Sequence, residues 1–297
     1  MPPLTFARSM AAHRGLRIAY TPDSDDAFTY YAWEHGHVGL AGWPAAFHRA
    51  HIAELNQAAH EERYDVVGVS AVTYPRLADR YWILATGNSV GRDFGPVLAS
   101  KRFGALEELR GRRVGVGGHP TTGSVLACFY APPVELVELP YDAIAGAIQR
   151  DEIAAGVMIH EEILSFQDLG LRTVCDLGRA WCGETGLPLP VGLNLVRREL
   201  GEELARDVAT TCQRSLLWAL AHADEAYAWA SRFGRGRARE HVAMFDSRDT
   251  LSLPDDVRRS LGLLFERVAA AGLGPRVDSV GIVDGLAGAP LSAASRT

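Results

Sequence analysis

A histidine that directly follows a short apolar run is the residue of this chain best suited to chemistry. Residues 154–159 read Ala-Ala-Gly-Val-Met-Ile, which is typical of a buried strand, and His160 and Glu161 come next. Imidazole exchanges a proton near neutral pH, so His160 is a candidate for proton transfer, with Glu161 beside it to fix the tautomer. A lone histidine is also common as a structural residue, and the sequence leaves both interpretations open.

A dense polar turn lies between the first predicted strand, residues 16–21, and the first predicted helix, residues 25–35. It reads Thr-Pro-Asp-Ser-Asp-Asp-Ala-Phe over residues 21–28. Ligands of α/β proteins bind at the carboxyl ends of strands, so a turn in this position can contact a substrate. Helix capping is the alternative use of the same residues. The candidates for substrate contacts are Asp23, Ser24 and Asp26.

A glycine-rich segment follows the predicted strand at 113–117 and precedes a helical run at 125–130. It reads Gly-Gly-His-Pro-Thr-Thr-Gly-Ser over residues 117–124. Glycines permit close backbone approach, and free N–H groups at a helix start with the hydroxyls of Thr121 and Thr122 can hold an anion. Because neither nucleotide-binding glycine motif is present, a carboxylate fits better than a nucleotide. A tight turn before a capped helix is the alternative.

Two further candidates lie in the first hundred residues. Ser70 is near the end of the predicted strand at 65–72, where that strand meets the same cleft. Arg92 lies in a glycine-containing loop at 88–96 and is a candidate for neutralising an acid group of the substrate, although it also fits an ordinary surface arginine.

The composition excludes several classes of protein. The 297 residues carry a formal net charge of −6 without a lysine or arginine stripe, which argues against nucleic-acid and acidic-membrane surfaces. No apolar run approaches the length of a membrane span. The four cysteines show no C-x-x-C spacing and residues 1–14 do not form an export signal, so we predict reduced thiols and a cytoplasmic location. Histidine pairs at 35/37 and 48/51 lack nearby cysteines or ordered carboxylates, so no metal site is expected.

Short β-rich runs alternate with helical patterns, which predicts an α/β chain with parallel-rich sheets. The predicted strands are 16–21, 65–72, 81–86, 113–117, 134–139, 155–159, 171–177 and 191–196. After about residue 197 the pattern is helical, with helices predicted at 202–233 and from Ser252 to Gly272, and the tail from Gly285 is expected to be disordered.

The strand order favours a two-lobed clamp in which the chain crosses twice between lobes. We predict crossings near residues 97–100 and 193–197. Lobe 1 then comprises residues 1–97 and 197–297, and lobe 2 comprises residues 98–196. The cleft between such lobes suits a small anionic molecule as the partner, and the sequence does not distinguish a monomer from a homodimer.

These motifs together resemble the 1,4-dihydroxy-6-naphthoate synthases of the futalosine route to menaquinone, a family grouped with chorismate dehydratases and periplasmic-binding-protein-like proteins. The similarity extends over about residues 16–272. Its most specific parts are the Ile-His-Glu sequence ending at Glu161 and the Thr-Gly-Leu-Pro-Leu-Pro sequence at 185–190. It also includes the turn at 22–28, Ser70 with Tyr74, Gly91-Arg92 with Gly95-Pro96, and His119 with Thr121 and Thr122.

The resemblance implies a type II periplasmic-binding-protein-like fold and a lyase that needs no cofactor. Such a lyase opens cyclic de-hypoxanthine futalosine, releases a sugar-derived fragment and leaves the naphthoate ring. His160 matches the family's base, and Ser70, Thr121 and Thr122 match its ligand-binding residues. The family's first turn usually reads Ser-Pro-Cys-Pro-Asn-Asp-Thr-Phe, so Asp23 introduces a charge that would repel a carboxylate substrate unless it is paired. The alternatives are a solute-binding protein for a small carboxylate and a chorismate-dehydratase-like enzyme.

Overall fold

The structure is a computed structural model that describes residues 15–234, 236–245 and 248–286. Residues 1–14, which bear on the expected absence of an export signal, and the tail after residue 286 lie outside the described residues. The strands are β1 Leu16–Tyr20, β2 Ala45–Arg49, β3 Val66–Ser70, β4 Tyr81–Leu84, β5 Ser89–Gly91, β6 Val97–Ser100, β7 Arg113–Val116, β8 Glu135–Glu138, β9 Ala155–Met158, β10 Arg172–Asp176, β11 Leu189–Arg197 and β12 Ile282–Val283. The helices are α1 Ser24–Glu34, α2 Ile52–His60, α3 Thr122–Tyr130, α4 Tyr141–Gln149, α5 Glu162–Ser165, α6 Leu177–Thr185, α7 Glu202–Ala221, α8 Ala223–Ala230, α9 Ala238–Phe245, α10 Arg248–Leu251 and α11 Asp255–Ala270.

The strands form two mixed sheets, which confirms the predicted α/β class. In the first sheet the order is β12-β4-β11-β3-β1-β2, and β5 also pairs with β11. In the second sheet the order is β10-β6-β9-β7-β8. Strands β1, β2 and β3 are mutually parallel neighbours, as are β7, β8 and β9. Polar residues that follow parallel neighbours therefore gather at one edge of each sheet.

The long strand β11 corrects one predicted crossing. All its hydrogen-bonding partners, β3, β4 and β5, belong to the first sheet. The chain therefore returns to the first sheet before Leu189, not at 193–197, because the apolar run at 189–197 is needed at the centre of that sheet. At the other predicted crossing, β6 at Val97–Ser100 pairs with β9 and β10 and therefore belongs to the second sheet. We use "first lobe" and "second lobe" for the parts built around the first and second sheets.

Helix α1 is fixed firmly in the first lobe, and its N-terminus is thereby aimed at the cleft. Its side chains from Ala27 to Trp33 are buried, mostly against α7 and α8. The Tyr30 hydroxyl donates to Asn194 on β11 at 3.0 Å. Ser215 of α7 accepts from the N–H of Trp33 and donates to the carbonyl of Thr29. These bonds hold the helix against both the sheet and α7.

The helical end of the chain packs on the first lobe, where α7 contacts α1 and β12 pairs with β4. Helices α7 and α8 divide the predicted segment 202–233, and α11 covers most of the segment predicted from Ser252 to Gly272. Strands β2, β5, β6 and β12 are not among the predicted strands. Strand β2 alternates half-buried and exposed residues at a sheet edge, β5 and β12 have three and two residues, and the segment of β6 was predicted as a crossing between lobes. The four cysteines are free thiols. No helix in the described ranges is long and apolar enough to cross a membrane.

Candidate active site

The cavity between the two lobes lies where the carboxyl ends of the parallel strands meet. It contains about 810 Å³ of empty space, including the part open to solvent. The first lobe contributes the turn after β1 and the end of β3, and the second contributes the segments after β7 and β9. Polar side chains that line it are Thr21, Asp23, Asp25, Asp26, Ser70, Ser89, Thr121, Thr122, His160, Asn194 and His241. Apolar groups include Ile52, Val69, Ile159, Ile163 and Phe245, so a flat ring system would find both apolar walls and polar groups.

Asp23 and His160 form an ion pair across the cleft. Oδ2 of Asp23 lies 2.5 Å from Nδ1 of His160, and both side chains are largely buried. Asp23 occupies the N-cap position of α1, yet its carboxylate makes no capping hydrogen bond. The prediction that this residue or Ser24 caps the helix is therefore wrong. The charge that the family's turn lacks is paired with the histidine.

The pair changes the pKa of both groups. Burial alone would lower the pKa of His160, but the adjacent charge of Asp23 outweighs burial and raises it to about 9. Burial alone would raise the pKa of Asp23, but His160 lowers it to about 2. Between these two values both partners are charged, so His160 rests as an imidazolium at neutral pH.

The orientation of His160 is set by its backbone and by one ring contact. Its φ of +55° is in the left-handed region, which few non-glycine residues adopt and which is often found at functional sites. The ring meets that of Tyr141 edge to face, with 4.9 Å between centroids. His160 lines the cavity, and its Nε2 is buried and has no hydrogen-bond partner among the described residues. This nitrogen is positioned to meet a bound molecule.

Two more carboxyl groups lie beside Asp23. Burial, followed by the charge of Asp23, raises the pKa of Asp25 to about 6. Burial and the charge of Asp25 raise the pKa of Asp26 to about 7. Asp26 also accepts from the backbone N–H and the hydroxyl of Thr21. The turn therefore carries less negative charge at neutral pH than its three aspartates would indicate.

Ser24 and Glu161 lie behind the cavity wall instead of lining it. The Ser24 hydroxyl donates to Oε1 of Glu161 at 2.5 Å, and its oxygen is 3.1 Å from Nδ1 of His241. All three residues are buried. Asp23, and not Glu161, thus fixes the tautomer of His160, because Asp23 is the carboxylate at its Nδ1. Glu161 is connected through Ser24 to a second histidine.

That second histidine, His241 on α9, was not recognised from the sequence. It shares one face of α9 with Ala238, Val242 and Phe245, and these four residues are buried. A histidine at helical spacing among apolar residues was the available signal. This signal is insufficient by itself, because nothing local indicates that α9 covers a cleft whose other lining residues come from the segment between Thr21 and Asn194. Its Nε2 is buried and has no partner in the part of the chain that the structure describes.

The glycine-rich segment brings the start of α3 to the cavity. Thr121 is the N-cap and accepts from the N–H of Ser124, while Thr122 and Gly123 also line the cavity. The Thr122 hydroxyl donates across the cleft to the carbonyl of Val191 on β11 at 2.7 Å. Opposite, Ser70 lines the cavity and bonds with Asn56. Three predicted substrate-binding residues, Ser70, Thr121 and Thr122, thus meet at one site.

Arg92, like Ser24 and Glu161, is a predicted site residue that does not line the cavity. Its guanidinium forms ion pairs with Asp249 at 2.6 Å and Asp256 at 2.7 Å. Two carboxylates from the C-terminal part of the chain therefore neutralise the arginine that was predicted to bind an acid group of the substrate. No lysine or arginine is among the described residues that line the cavity.

The chain is similar to known proteins over most of its length. A family model described as menaquinone biosynthesis matches residues 16–270. The 1,4-dihydroxy-6-naphthoate synthase of Thermus thermophilus is 35% identical over 262 residues, covering 87% of this chain and 95% of the relative. The enzyme of the same name from Streptomyces coelicolor is 31% identical over 271 residues, covering 88% and 95%.

Solved structures agree on the fold. Protein AF1704 of Archaeoglobus fulgidus superposes with a TM-score of 0.83 at 36% identity, covering 88% of this chain and 99% of that one. The periplasmic aliphatic sulphonate binding protein of Escherichia coli superposes with a TM-score of 0.61 at 11% identity, covering 88% and 94%. The latter likeness extends to the fold alone and confirms the periplasmic-binding-protein-like clamp.

Proposed function

This chain belongs to the menaquinone biosynthesis family, and on that premise we propose that it is a 1,4-dihydroxy-6-naphthoate synthase. The proposed reaction is a lyase reaction that opens cyclic de-hypoxanthine futalosine and releases 1,4-dihydroxy-6-naphthoate and a sugar-derived fragment. The support is the family match over nearly the whole described chain, together with a cavity that offers apolar walls and proton-transfer groups.

The observation that carries the proposal is the unpartnered Nε2 of His160 in the cavity wall. A reaction that starts or ends with proton transfer needs such a group within reach of the substrate. The partner at its Nδ1, Asp23, holds the ring in one orientation and stabilises its charged form. We therefore propose His160, the base of the family resemblance, as a proton-transfer residue.

The N-terminus of α3 is the proposed site for an anionic group of the substrate. Free N–H groups and the positive end of the helix dipole favour a carboxylate there. The His160 imidazolium adds the one positive charge we assign to the cavity wall. Asp23 does not oppose this binding, because its charge is paired. A cytoplasmic location is proposed as well, since free thiols suit a reducing compartment.

The second candidate is a solute-binding protein for a small carboxylate, motivated by the clamp architecture and by the altered first turn that contains Asp23. Turnover of the substrate distinguishes the lyase from the solute-binding protein. Purified full-length protein is mixed with cyclic de-hypoxanthine futalosine, and the naphthoate product is followed by chromatography and mass spectrometry. We expect product from the wild type and a rate lower by about 10²–10⁴-fold in His160→Gln.

His222→Gln is the matched control, because His222 is exposed and lies outside the cavity. It is expected to keep the wild-type rate. Recovery of an unaltered, tightly bound metabolite from wild-type protein would favour the solute-binding candidate. An unchanged rate in His160→Gln would remove His160 from the chemistry.

A further inference from the structure

The cavity wall contains two buried histidines, each with an Nε2 that has no partner among the described residues. His160 comes from the second lobe, after β9, and His241 comes from α9 in the first lobe. Ordinary structural histidines have their ring nitrogens satisfied when they are buried. Two exceptions in one cavity indicate that both nitrogens serve a bound molecule.

The hydrogen bonds of His241 determine its tautomer. The single proton of the Ser24 hydroxyl is donated to Glu161, so the same oxygen can only accept from Nδ1 of His241. Oδ1 of Asp25 lies 3.6 Å from that nitrogen and also favours a proton on it. In the neutral ring the proton is therefore on Nδ1, and Nε2 carries a bare lone pair in a residue that lines the cavity.

His160 is in the opposite state. Its Nδ1 faces the carboxylate of Asp23 at 2.5 Å, so that nitrogen carries a proton. Because the charge of Asp23 raises the pKa of His160 to about 9, Nε2 also carries a proton at neutral pH and is a donor. The cavity thus has one imidazole that accepts and one that donates, placed in opposite lobes.

The groups that face His241 agree with its neutral state. Asp23, Ser24, Asp25 and Asp26 face it from the turn and the start of α1, and His160 and Glu161 from the segment between β9 and α5. Burial lowers the pKa of His241, and the nearby His160 charge acts in the same direction against the neighbouring carboxylates. Paired titratable groups whose environments separate their pKa values are typical of a divided acid and base.

We infer that His241 is the base of the reaction and that His160 is its acid. This inference rests on the proposed lyase function and changes the direction in which His160 moves its proton. His241 Nε2 takes a proton from the substrate, and the electrons of that bond form the new double bond of the product. The bond to the departing fragment breaks with its electron pair, and the Nε2 proton of His160 is transferred to that pair.

The step needs no oxidant, reductant or further reactant. One proton leaves the substrate and one is delivered, so the enzyme keeps its number of protons. His241 ends as the imidazolium and His160 as the neutral ring. Opening of the lobes lets solvent restore both states.

The test is the dependence of kcat/KM on pH for the wild-type enzyme with cyclic de-hypoxanthine futalosine. We expect a rise at low pH as His241 loses a proton, a plateau, and a fall near pH 9 as His160 loses its own. A rate that only rises up to about pH 9 would mean that neutral His160 is the base, and the inference would be wrong. Since this measurement needs no variant, it decides even where a variant does not fold.

The histidine variants show which residue causes the rise and which causes the fall in the pH profile. His241→Gln is expected to lower kcat by about 10²–10⁴-fold with a small change in KM, and to lose the rise at low pH. His160→Gln is expected to lose the fall at high pH. His222→Gln should retain the complete profile. Folded His241→Gln with wild-type kcat would overturn the inference while leaving the lyase function intact, whereas wild-type protein without product would contradict both.

Discussion

At the scale of single residues, the feature that distinguishes this site is Asp23. The family's first turn usually has a cysteine at this position, and in this chain a buried carboxylate pairs with His160. A buried charge is tolerated when it is paired, and the pair in turn sets the proton state of the imidazole. Asp23 acts through His160 and is a positioning residue.

Replacing Asp23 with asparagine is expected to remove the cause of the high pKa of His160. Burial would then leave the pKa of His160 at or below its ordinary value of about 6.5. If His160 is the acid, kcat/KM at pH 8 should fall by at least about 30-fold, the change in protonated fraction between pKa values of 9 and 6.5. The optimum should move to lower pH.

Asp93→Asn is the control for this substitution, because Asp93 is exposed and the left-handed backbone there suits asparagine. It should leave the pH profile unchanged. A rise in the activity of Asp23→Asn between pH 7 and 8 would show that neutral His160 is the active form, and His160 would then not be the acid.

At the scale of elements, the site residues that the sequence can predict are those at the carboxyl ends of strands. The polar residues that follow β1, β3, β7 and β9 are recognisable from short apolar runs ending in polar side chains. That pattern identifies His160, Ser70 and Thr121 as neighbours of a cleft. It works because a parallel sheet brings these ends to one edge whatever the connecting segments are.

The partners of these residues could not be predicted, because they depend on contacts distant in sequence. Asp23 and His160 come from different lobes and meet across the cleft. His241 reaches the cavity on a helix that packs against α1. Arg92 has a suitable position in sequence, but Asp249 and Asp256 compete for its charge. Local pattern contains no information about which of several acids an arginine will contact.

The start of α6 offers a test of how closely two elements pack. An added Cβ on Gly178 would lie 2.2 Å from the carbonyl oxygen of Phe94, whereas one on Gly183 of the same helix would meet nothing within 4 Å. We expect Gly178→Ala to lower the free energy of unfolding by about 1–3 kcal/mol, as overpacking does.

Gly183→Ala is the matched control and is expected to raise that free energy by about 0.5–1 kcal/mol, since alanine favours a helix over glycine. Urea unfolding of both variants measures the difference. Equal effects of the two substitutions would contradict the close packing of the segment at 94–95 against α6.

At the scale of the whole molecule, bonds across the cleft hold the lobes together. Besides the pair of Asp23 and His160, the Thr122 hydroxyl donates to the carbonyl of Val191, and Arg237 pairs with Asp168 at 2.8 Å on the surface. The surface pair contributes little, because exposed ion pairs are weak. The buried contacts at the cleft therefore contribute more to holding the lobes together.

Thr122→Val keeps the shape of the side chain and removes its hydroxyl. We expect a larger radius of gyration in small-angle scattering without added substrate, because a bond across the cleft is lost. One hydrogen bond contributes a net free energy of about 0.5–1.5 kcal/mol, so we expect the affinity of Thr122→Val for the substrate to be lower by about 2- to 10-fold. Thr211→Val is the control, since that hydroxyl bonds within α7. An unchanged radius for Thr122→Val would show that this bond does not govern closure.

The central claim is that two histidines in one cavity rest in opposite proton states. Nitrogen NMR of protein labelled at histidine with ¹⁵N tests it most directly, with His160→Gln and His241→Gln to assign the signals. At pH 7 we expect both ring nitrogens of His160 to carry protons and His241 to be neutral, with its proton on Nδ1. A neutral His160 at pH 7, or a His241 protonated on Nε2, would contradict the claim.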